Sequence, residues 1–434
     1  MHLLQAAVYH DRRLVVVPLT YDWILEGNAR GEQRNNLQSV LDAFVGREDP
    51  FRYSNPVSVP GDFYGRKDVA AALVRDLDRG QSVGLFGMRK IGKTSLIQHT
   101  LRTRTGPIIY IDCQGLTHSK TILRRLPQEL HRSLEKLLPK AQWPEFREPD
   151  SGDLEALADS VHRYLRHVYG LYVAQSTSDS KITLVLDEVD RIIPDLSRRP
   201  DGVEEYEALF GLLRGLGQGL ERILVCMVAG FSASITQKDI SLSSGVGGNP
   251  VYAFFNTHRL GPMSASDIAS MMNGLGSRAR LQFTDTANHR LYQWSGGHPF
   301  LSRLMGSTIH RNIDRYGLIQ VDTEGGDAYE VDEVVVNRAA KDLLDDVTSR
   351  PLVAQILERF SDPIHKIIFT KLAHAGPEGC TRETLMGLAP DTQSWHDFEN
   401  TLNGLEVASL IRKDEGRFKL FAHLLEVLIQ ERYA

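Results

Sequence analysis

The stretch Gly87-Met88-Arg89-Lys90-Ile91-Gly92-Lys93-Thr94 fills every fixed position of the pattern G-x-x-x-x-G-K-[ST]. That spacing suits the holding of a phosphate chain. The glycines let the backbone wrap the phosphates. The amides of Ile91 to Ser95 can point inward at a helix N-terminus, where the dipole favours an anion. Lys93 is placed to bond the β- and γ-phosphates, and Thr94 to offer its hydroxyl to Mg²⁺. The expected nucleotide-binding set here is Gly87, Lys90, Ile91, Gly92, Lys93, Thr94 and Ser95, with Lys93 also catalytic. The alternative is a glycine-rich strand-to-helix turn with no ligand. Both flanks argue against it: apolar Ser82–Phe86 reads as a buried strand, and Thr94–Leu101 as a helix.

A second element supports the first. Ile182-Thr183-Leu184-Val185-Leu186-Asp187-Glu188 is a β-branched and aliphatic run that ends in two acids, as a buried parallel strand would. Asp187 at its tip can hold Mg²⁺ through water, the role of a Walker B acid. Glu188 projects toward an attacking water and is the general-base candidate. A strand end with two solvated acids is the bland alternative, disfavoured by the phosphate-binding pattern in the same chain.

Composition narrows the class. The chain has 434 residues and a formal net charge of −5, with a pI near 6.3. It is long enough for two to four domains and carries no global basic footprint for nucleic acid. The three cysteines, Cys113, Cys226 and Cys380, are far apart and form no C-x-x-C pair. Cys226 sits in an apolar strand candidate and is expected in the core. This usage suits a reducing cytoplasm without disulfides or a thiolate metal site. No signal-peptide pattern and no apolar run of membrane-spanning length is present, so no membrane partner is expected.

Four regions can be proposed. Residues 1–58 hold one strong strand candidate, Leu14–Leu19, a helix candidate near 36–45 and a proline-containing linker from Asp49. They are expected to form a docking segment rather than a domain. Residues 59–260 form the nucleotide domain, with strands expected at 82–87, 107–112, 182–187, 222–229 and 251–257. Helical patterns between most of them predict a parallel α/β sheet. Two helices are expected at 119–138 and 153–168, and the Gly/Ser-rich run 241–250 reads as a mobile connector. Residues 261–350 read as a helical lid, with helices at 284–294, 298–315 and 332–346. Residues 351–434 show helices at 363–374, 381–388 and 394–408, then a hairpin around Asp414-Glu415-Gly416 and a closing helix: a winged-helix domain.

With those residues in view, the chain resembles the STAND class, signal-transduction ATPases with numerous domains, within the AAA+-related P-loop ATPases. The likeness is nearest to its prokaryotic members and is spread over residues 63 to 425. Phe63-Tyr64-Gly65-Arg66 resembles the h-h-G-R motif ahead of the phosphate loop, near the adenine. Gly297-His298-Pro299-Phe300 resembles the G-x-P-h motif of the lid, whose proline packs on the base. Phe421-Ala422-His423-Leu424 resembles the M-H-D motif, whose histidine reaches the β-phosphate of ADP. The resemblance therefore implies that Phe63, Arg66, Pro299 and His423 also bind nucleotide. Physical chemistry allows other roles: Arg66 capping carbonyls or in a salt bridge, Pro299 as an ordinary first helical residue, His423 as a core histidine. There are departures. The acid of M-H-D is Leu424 here. Where many relatives carry an arginine after the fourth strand, this chain has Ala229-Gly230-Phe231-Ser232, leaving Ser232 as a weak γ-phosphate contact. No repeat-based sensor or front effector domain is recognisable, so the expectation is a fragment, or a subunit served by a protein partner in trans.

Three functions fit. The first is an ATP/ADP-controlled switch that hydrolyses ATP slowly and opens into an oligomer in the ATP state; the resemblance places such switches in bacterial defence or stress signalling. The second is a DNA-handling AAA+ ATPase of the replication-initiator or transposition-regulator kind. Against it, the third helix candidate, Asp391–Ala408, contains four acids and no Lys or Arg, a poor match to phosphate backbones. Arg412, Lys413, Arg417 and Lys419 near the hairpin are diluted by Asp414 and Glu415. The third is a scaffold that holds nucleotide without hydrolysis, which intact Lys93, Asp187 and Glu188 argue against.

Overall fold

The computed structural model describes residues 49–51, 55–57, 60–138, 143–150, 152–176, 180–194, 202–219, 222–231, 254–323, 326–358, 360, 362–389, 391 and 394–433. The strand and helix expected within residues 1–48, the run 241–250 and Ser232 lie outside them.

Helix α1 (Lys67–Asp78) leads into strand β1 (Val83–Gly87), the phosphate loop and α2 (Lys93–Leu101). Then come β2 (Ile108–Asp112), α3 (Ser119–Leu137), α4 (Leu154–Gln175), β3 (Ile182–Asp187), α5 (Gly202–Gln218), β4 (Leu224–Gly230) and β5 (Asn256–Leu260). The five strands form one all-parallel sheet in the order β2-β3-β4-β1-β5. β1, β3 and β4 are buried along their whole length, which explains why they read as unbroken apolar runs. The pleat sorts their side chains. Leu85, Val185, Val225, Met227 and Ala229 join one core, while Phe86, Leu184, Leu186, Leu224, Cys226 and Val228 join the core under α3, α4 and α5. The expected parallel α/β sheet is thus the observed one.

Two expectations need correction. The last strand was expected at 251–257, but β5 runs Asn256–Leu260 and is largely exposed. It is a polar edge strand, placed by its register with β1 (Val83 opposite Asn256, Gly87 opposite Leu260) rather than by its own apolarity. α4 continues to Gln175, past the expected end at 168, because Val168 and Tyr172 prolong the buried stripe of Leu157, Val161 and Leu165.

Beyond the sheet come α6 (Ala265–Arg278), β6 (Leu281–Phe283), α7 (Asp285–Ser295), α8 (Pro299–Arg311), α9 (Ile313–Tyr316), β7 (Gln320–Thr323), β8 (Gly326–Val331) and α10 (Glu333–Asp345). This region is not purely helical. β6, β8 and β7 make a small sheet, β6 parallel and β7 antiparallel to β8. These strands are short, and β7 and β8 are rich in polar residues, so neither length nor periodicity announced them. The chain ends with α11 (Arg350–Ala354), α12 (Pro363–Ala375), α13 (Arg382–Met386), α14 (Ser394–Val407), the antiparallel pair β9 (Ile411–Asp414) and β10 (Arg417–Leu420), and α15 (His423–Tyr433). Glu415 and Gly416 turn that hairpin with φ of 47° and 81°, the left-handed pair that tight hairpins favour. One continuous core runs from Val83 and Leu85 of the sheet through Leu301 and Leu304 of α8 to Leu424 and Leu428 of α15.

The stretch read as a linker carries an anchor. Phe51 is fully buried, edge-on to Phe283 and so close to α8 that a Cβ on Gly306 would lie 2.4 Å from its ring. Asp49 accepts from the Phe51 amide at 2.9 Å and from the Ser307 hydroxyl. Further along, the Val57 amide donates to Ser95 Oγ at 2.9 Å. Truncating a fully buried phenylalanine costs about 3–5 kcal/mol. Phe51→Ala therefore lowers the unfolding free energy by about that amount, seen as a lower urea midpoint. An unchanged midpoint would mean that the anchor carries no load.

Candidate functional site

The site lies at the C-terminal ends of the parallel strands, where open α/β sheets receive ligands. β1 delivers Gly87, whose backbone is pressed against β5: a Cβ there would meet the Leu260 carbonyl at 2.4 Å. The loop closes through Gly92, with φ of 101° and the Arg66 guanidinium 2.9 Å from where a Cβ would sit. That backbone requires glycine; the guanidinium, at the end of a flexible side chain, could give way. Lys93 opens α2 and is almost wholly buried. Its Nζ donates to the Met88 carbonyl at 3.0 Å and to the Gly87 carbonyl at 3.2 Å, so the cation is held inside the loop.

Asp187, at the tip of β3, is 2% exposed. Its Oδ2 accepts from the Thr94 hydroxyl at 2.7 Å and from the Tyr110 hydroxyl at 2.7 Å, and its Oδ1 from the Glu188 amide at 2.9 Å. The fold thus brings Thr94 and Asp187 together across an intervening strand, β4. Glu188 follows with φ of 53°, a left-handed backbone uncommon for a non-glycine residue. Tyr110, on β2, was not singled out from the sequence. Burial, and then the charge of Asp187, push its phenol above the usual range, so it remains a donor to that carboxylate. Burial likewise pushes the Cys113 thiol up to about 12, with Asp112 and Asp187 adding to it. All three cysteines are buried and free.

The flanking residues divide. Phe63 stacks face to face on His99 of α2, ring centres 4.1 Å apart. Arg66 caps carbonyls: its guanidinium donates to Ile91 in the loop and, at 3.2 Å, to Gly261 beyond β5. Burial brings its pKa down to about 10, opposed by Asp267. Ser95 accepts from Val57. Pro299 is the first residue of α8, and the Lys90 ammonium lies 4.0 Å over the neighbouring Phe300 ring. His423 lies against Trp294 (ring centres 4.3 Å apart) and places Nδ1 2.6 Å from Glu426 Oε2.

Other contacts reach the loop from elements remote in sequence. His298 is fully buried, with Nε2 3.0 Å from the Arg89 carbonyl; burial drives its pKa down to about 3, so the ring is neutral. The Arg89 guanidinium pairs with Glu358, just after α11. Phe231, at the end of β4, gives its amide to Asp190 at 3.1 Å and its ring to Phe360 at 5.2 Å. Gly296 is so close to the C-terminal hairpin that a Cβ would fall 2.0 Å from the Phe421 carbonyl oxygen. Arg89, Phe231, His298 and Phe421 stand in the sequence only as members of quoted stretches, and nothing there marked these contacts.

The residues fit a magnesium nucleotide. A buried cation inside a glycine-closed loop suits the phosphates. One hydroxyl and one carboxylate are hard oxygen donors, and Mg²⁺ takes one or two carboxylates plus phosphate and water rather than a full protein cage. Among the described residues, no group of three or more His, Cys, Asp or Glu side chains could hold a metal by itself. No described helix is long and apolar enough to cross a membrane.

Residues 61–228 match the profile of AAA_22, an AAA domain. A search of curated sequences gave no significant match. Among solved structures, the chain is similar to the Walker-type ATPase paby2304 of Pyrococcus abyssi: 16% identity, TM-score 0.62, over 88% of this chain and 99% of that one. That likeness establishes a P-loop NTPase fold. Looser likenesses are to Cdc6p of Pyrobaculum aerophilum (14% identity, TM-score 0.43, 89% and 98% covered) and to the RuvB Holliday junction branch migration motor of Thermotoga maritima (11%, 0.41, 86% and 96%).

Proposed function

We propose that this chain is an ATP/ADP-controlled molecular switch of the STAND type, hydrolysing ATP slowly and coupling nucleotide state to domain opening and assembly. The observation that carries the reading is where the C-terminal region touches the nucleotide domain. Glu358 meets the phosphate loop at Arg89, and Phe360 meets Phe231 at the end of β4. β4 lies between the strands bearing the loop and Asp187. Both contacts therefore sit on the crevice whose occupancy changes with nucleotide. A ligand that contacts the closed and open forms differently shifts the balance between them.

Within this reading Lys93, the loop amides and Ser95 hold the phosphates. Thr94 and Asp187 hold Mg²⁺, which supplies charge neutralisation to the transferring phosphoryl group. Glu188 takes the proton of the attacking water. Phe63, Arg66 and Pro299 frame the base side, and His423 is a β-phosphate contact offered by the family likeness. Three short helices, a two-stranded hairpin and a closing helix support the winged-helix assignment. Its third helix, α14, exposes Asp397, Glu399 and Glu406 and bears no Lys or Arg, so a protein partner and self-assembly fit this face better than DNA. By the same likeness the setting is bacterial defence or stress signalling, with the sensor or effector supplied in trans.

Gly296 offers the test, because it touches the C-terminal hairpin without being a nucleotide ligand. Gly296→Ala puts a Cβ into the Phe421 carbonyl and strains a φ of 61°. The φ strain is the same in both forms, whereas the clash exists only in the closed one; an overpacking cost of about 1–3 kcal/mol lowers the closed population by roughly fivefold to a hundredfold. ADP release should quicken by that factor, and light scattering should report a larger mass with ATP. Parental release and parental mass would sink the switch reading.

A further inference from the structure

We infer that His298 is a positioning residue that sets the phosphate loop from the lid; the inference rests on the nucleotide-switch reading. Side chains hold the backbone carbonyls of the phosphate loop. Four of them are tied down: Gly87 and Met88 by Lys93, Arg89 by His298 and Ile91 by Arg66. A peptide unit is planar, so fixing a carbonyl also fixes the N–H of the next residue on the opposite side. His298 thereby aims the Lys90 amide. That amide belongs to the residue that most needs help, since Lys90 holds φ of 57° without being glycine.

His298 is itself rigid. Its amide donates to the Ser295 carbonyl at 3.0 Å. Its own carbonyl accepts from the Ser302 amide at 3.0 Å and the Ser302 hydroxyl at 3.1 Å. A carbonyl only accepts, so Nε2 carries the hydrogen and Nδ1 is the bare nitrogen of a neutral ring. Nδ1 is buried without a hydrogen-bond partner. An apolar side chain would fill the same space without stranding a polar atom, so the imidazole's specific contribution is its Nε2–H. The same turn carries Gly296 against the Phe421 carbonyl, and the His298 and Phe421 rings lie 6.0 Å apart. A change in the loop at Arg89 is therefore felt two residues away, at the contact with the C-terminal hairpin.

The test compares His298→Leu, which keeps bulk and loses the donor, with His298→Gln, whose amide nitrogen reaches the Nε2 position. Dissociation of mant-labelled ADP is followed by stopped flow, and melting temperature is taken without and with ADP. His298→Leu should release ADP roughly tenfold faster and lose much of the ADP-induced rise in melting temperature. His298→Gln should stay within about threefold of the parent, as recovery of a single hydrogen bond predicts. Should His298→Leu fail to fold, His298→Asn, with a shorter amide, replaces it against His298→Gln. If the parent holds ADP and the Leu and Gln variants release it alike, His298 is packing only and the inference is overturned. A parent that holds no ADP overturns the switch reading, and this inference with it.

Discussion

Lys93→Ala should remove measurable binding of ADP and ATP. Lys93 is enclosed by the loop, its Nζ 3.0 and 3.2 Å from the Met88 and Gly87 carbonyls. A phosphate chain in the loop would receive two charge-assisted hydrogen bonds from it, each worth about 1.5–3 kcal/mol. Their loss corresponds to roughly a hundredfold to ten-thousandfold in affinity. The substitution also strands two carbonyls, so stability should fall by about 1–3 kcal/mol, while the continuous core that holds the fold is untouched. Titration calorimetry reads the affinity, and circular dichroism verifies that the variant is folded. A folded variant with parental affinity would remove the phosphate-binding assignment.

How much of this was legible beforehand follows from where the information lies. The phosphate loop is local: its residue types, spacing and both flanks sit within about twenty consecutive positions. A fully buried parallel strand also declares itself, as Ile182–Asp187 did, because apolar side chains on both faces leave an unbroken run. β5 had no such signal. All but Leu260 of its residues are polar, and its pairing with β1 places it as a strand. The small sheet β6-β8-β7 hid for the same reason. Tyr110 was invisible as a partner of Asp187 because the register of β2 on β3, with Asp112 opposite Asp187, cannot be read from either strand alone. Arg66 joins the loop to Gly261 by donating to carbonyls on both, a link that neither stretch of sequence shows by itself. The contacts of Arg89 with His298 and Glu358 span more than two hundred residues. They arise only when the start of α8 and the segment after α11 are folded onto the sheet, so no window of sequence contains them.

Glu188→Gln should leave nucleotide binding nearly intact and stop hydrolysis. Glu188 follows Asp187 directly, and its amide is pinned to Asp187 Oδ1, so its backbone is tied to the proposed Mg²⁺ ligand. The left-handed φ of 53° is carried equally by glutamine, and the amide preserves shape and hydrogen-bonding reach. It has no basic oxygen for the proton of water. Loss of a positioned general base costs about a hundredfold to ten-thousandfold in kcat. Affinity for ATP should change by less than about threefold, since no phosphate ligand is removed. Blocked hydrolysis then accumulates the ATP state, and with it the open, assembled form. Single-turnover hydrolysis and light scattering with ATP read both effects on one sample. Slow hydrolysis with unchanged mass would keep Glu188 as the base while cutting the link between nucleotide state and assembly. Hydrolysis at the parental rate would instead remove Glu188 from the chemistry. The nearby Asp190 would be a poor replacement, because its Oδ1 already accepts from the Phe231 amide at 3.1 Å; moving it toward water would loosen the end of β4 that Phe360 packs against.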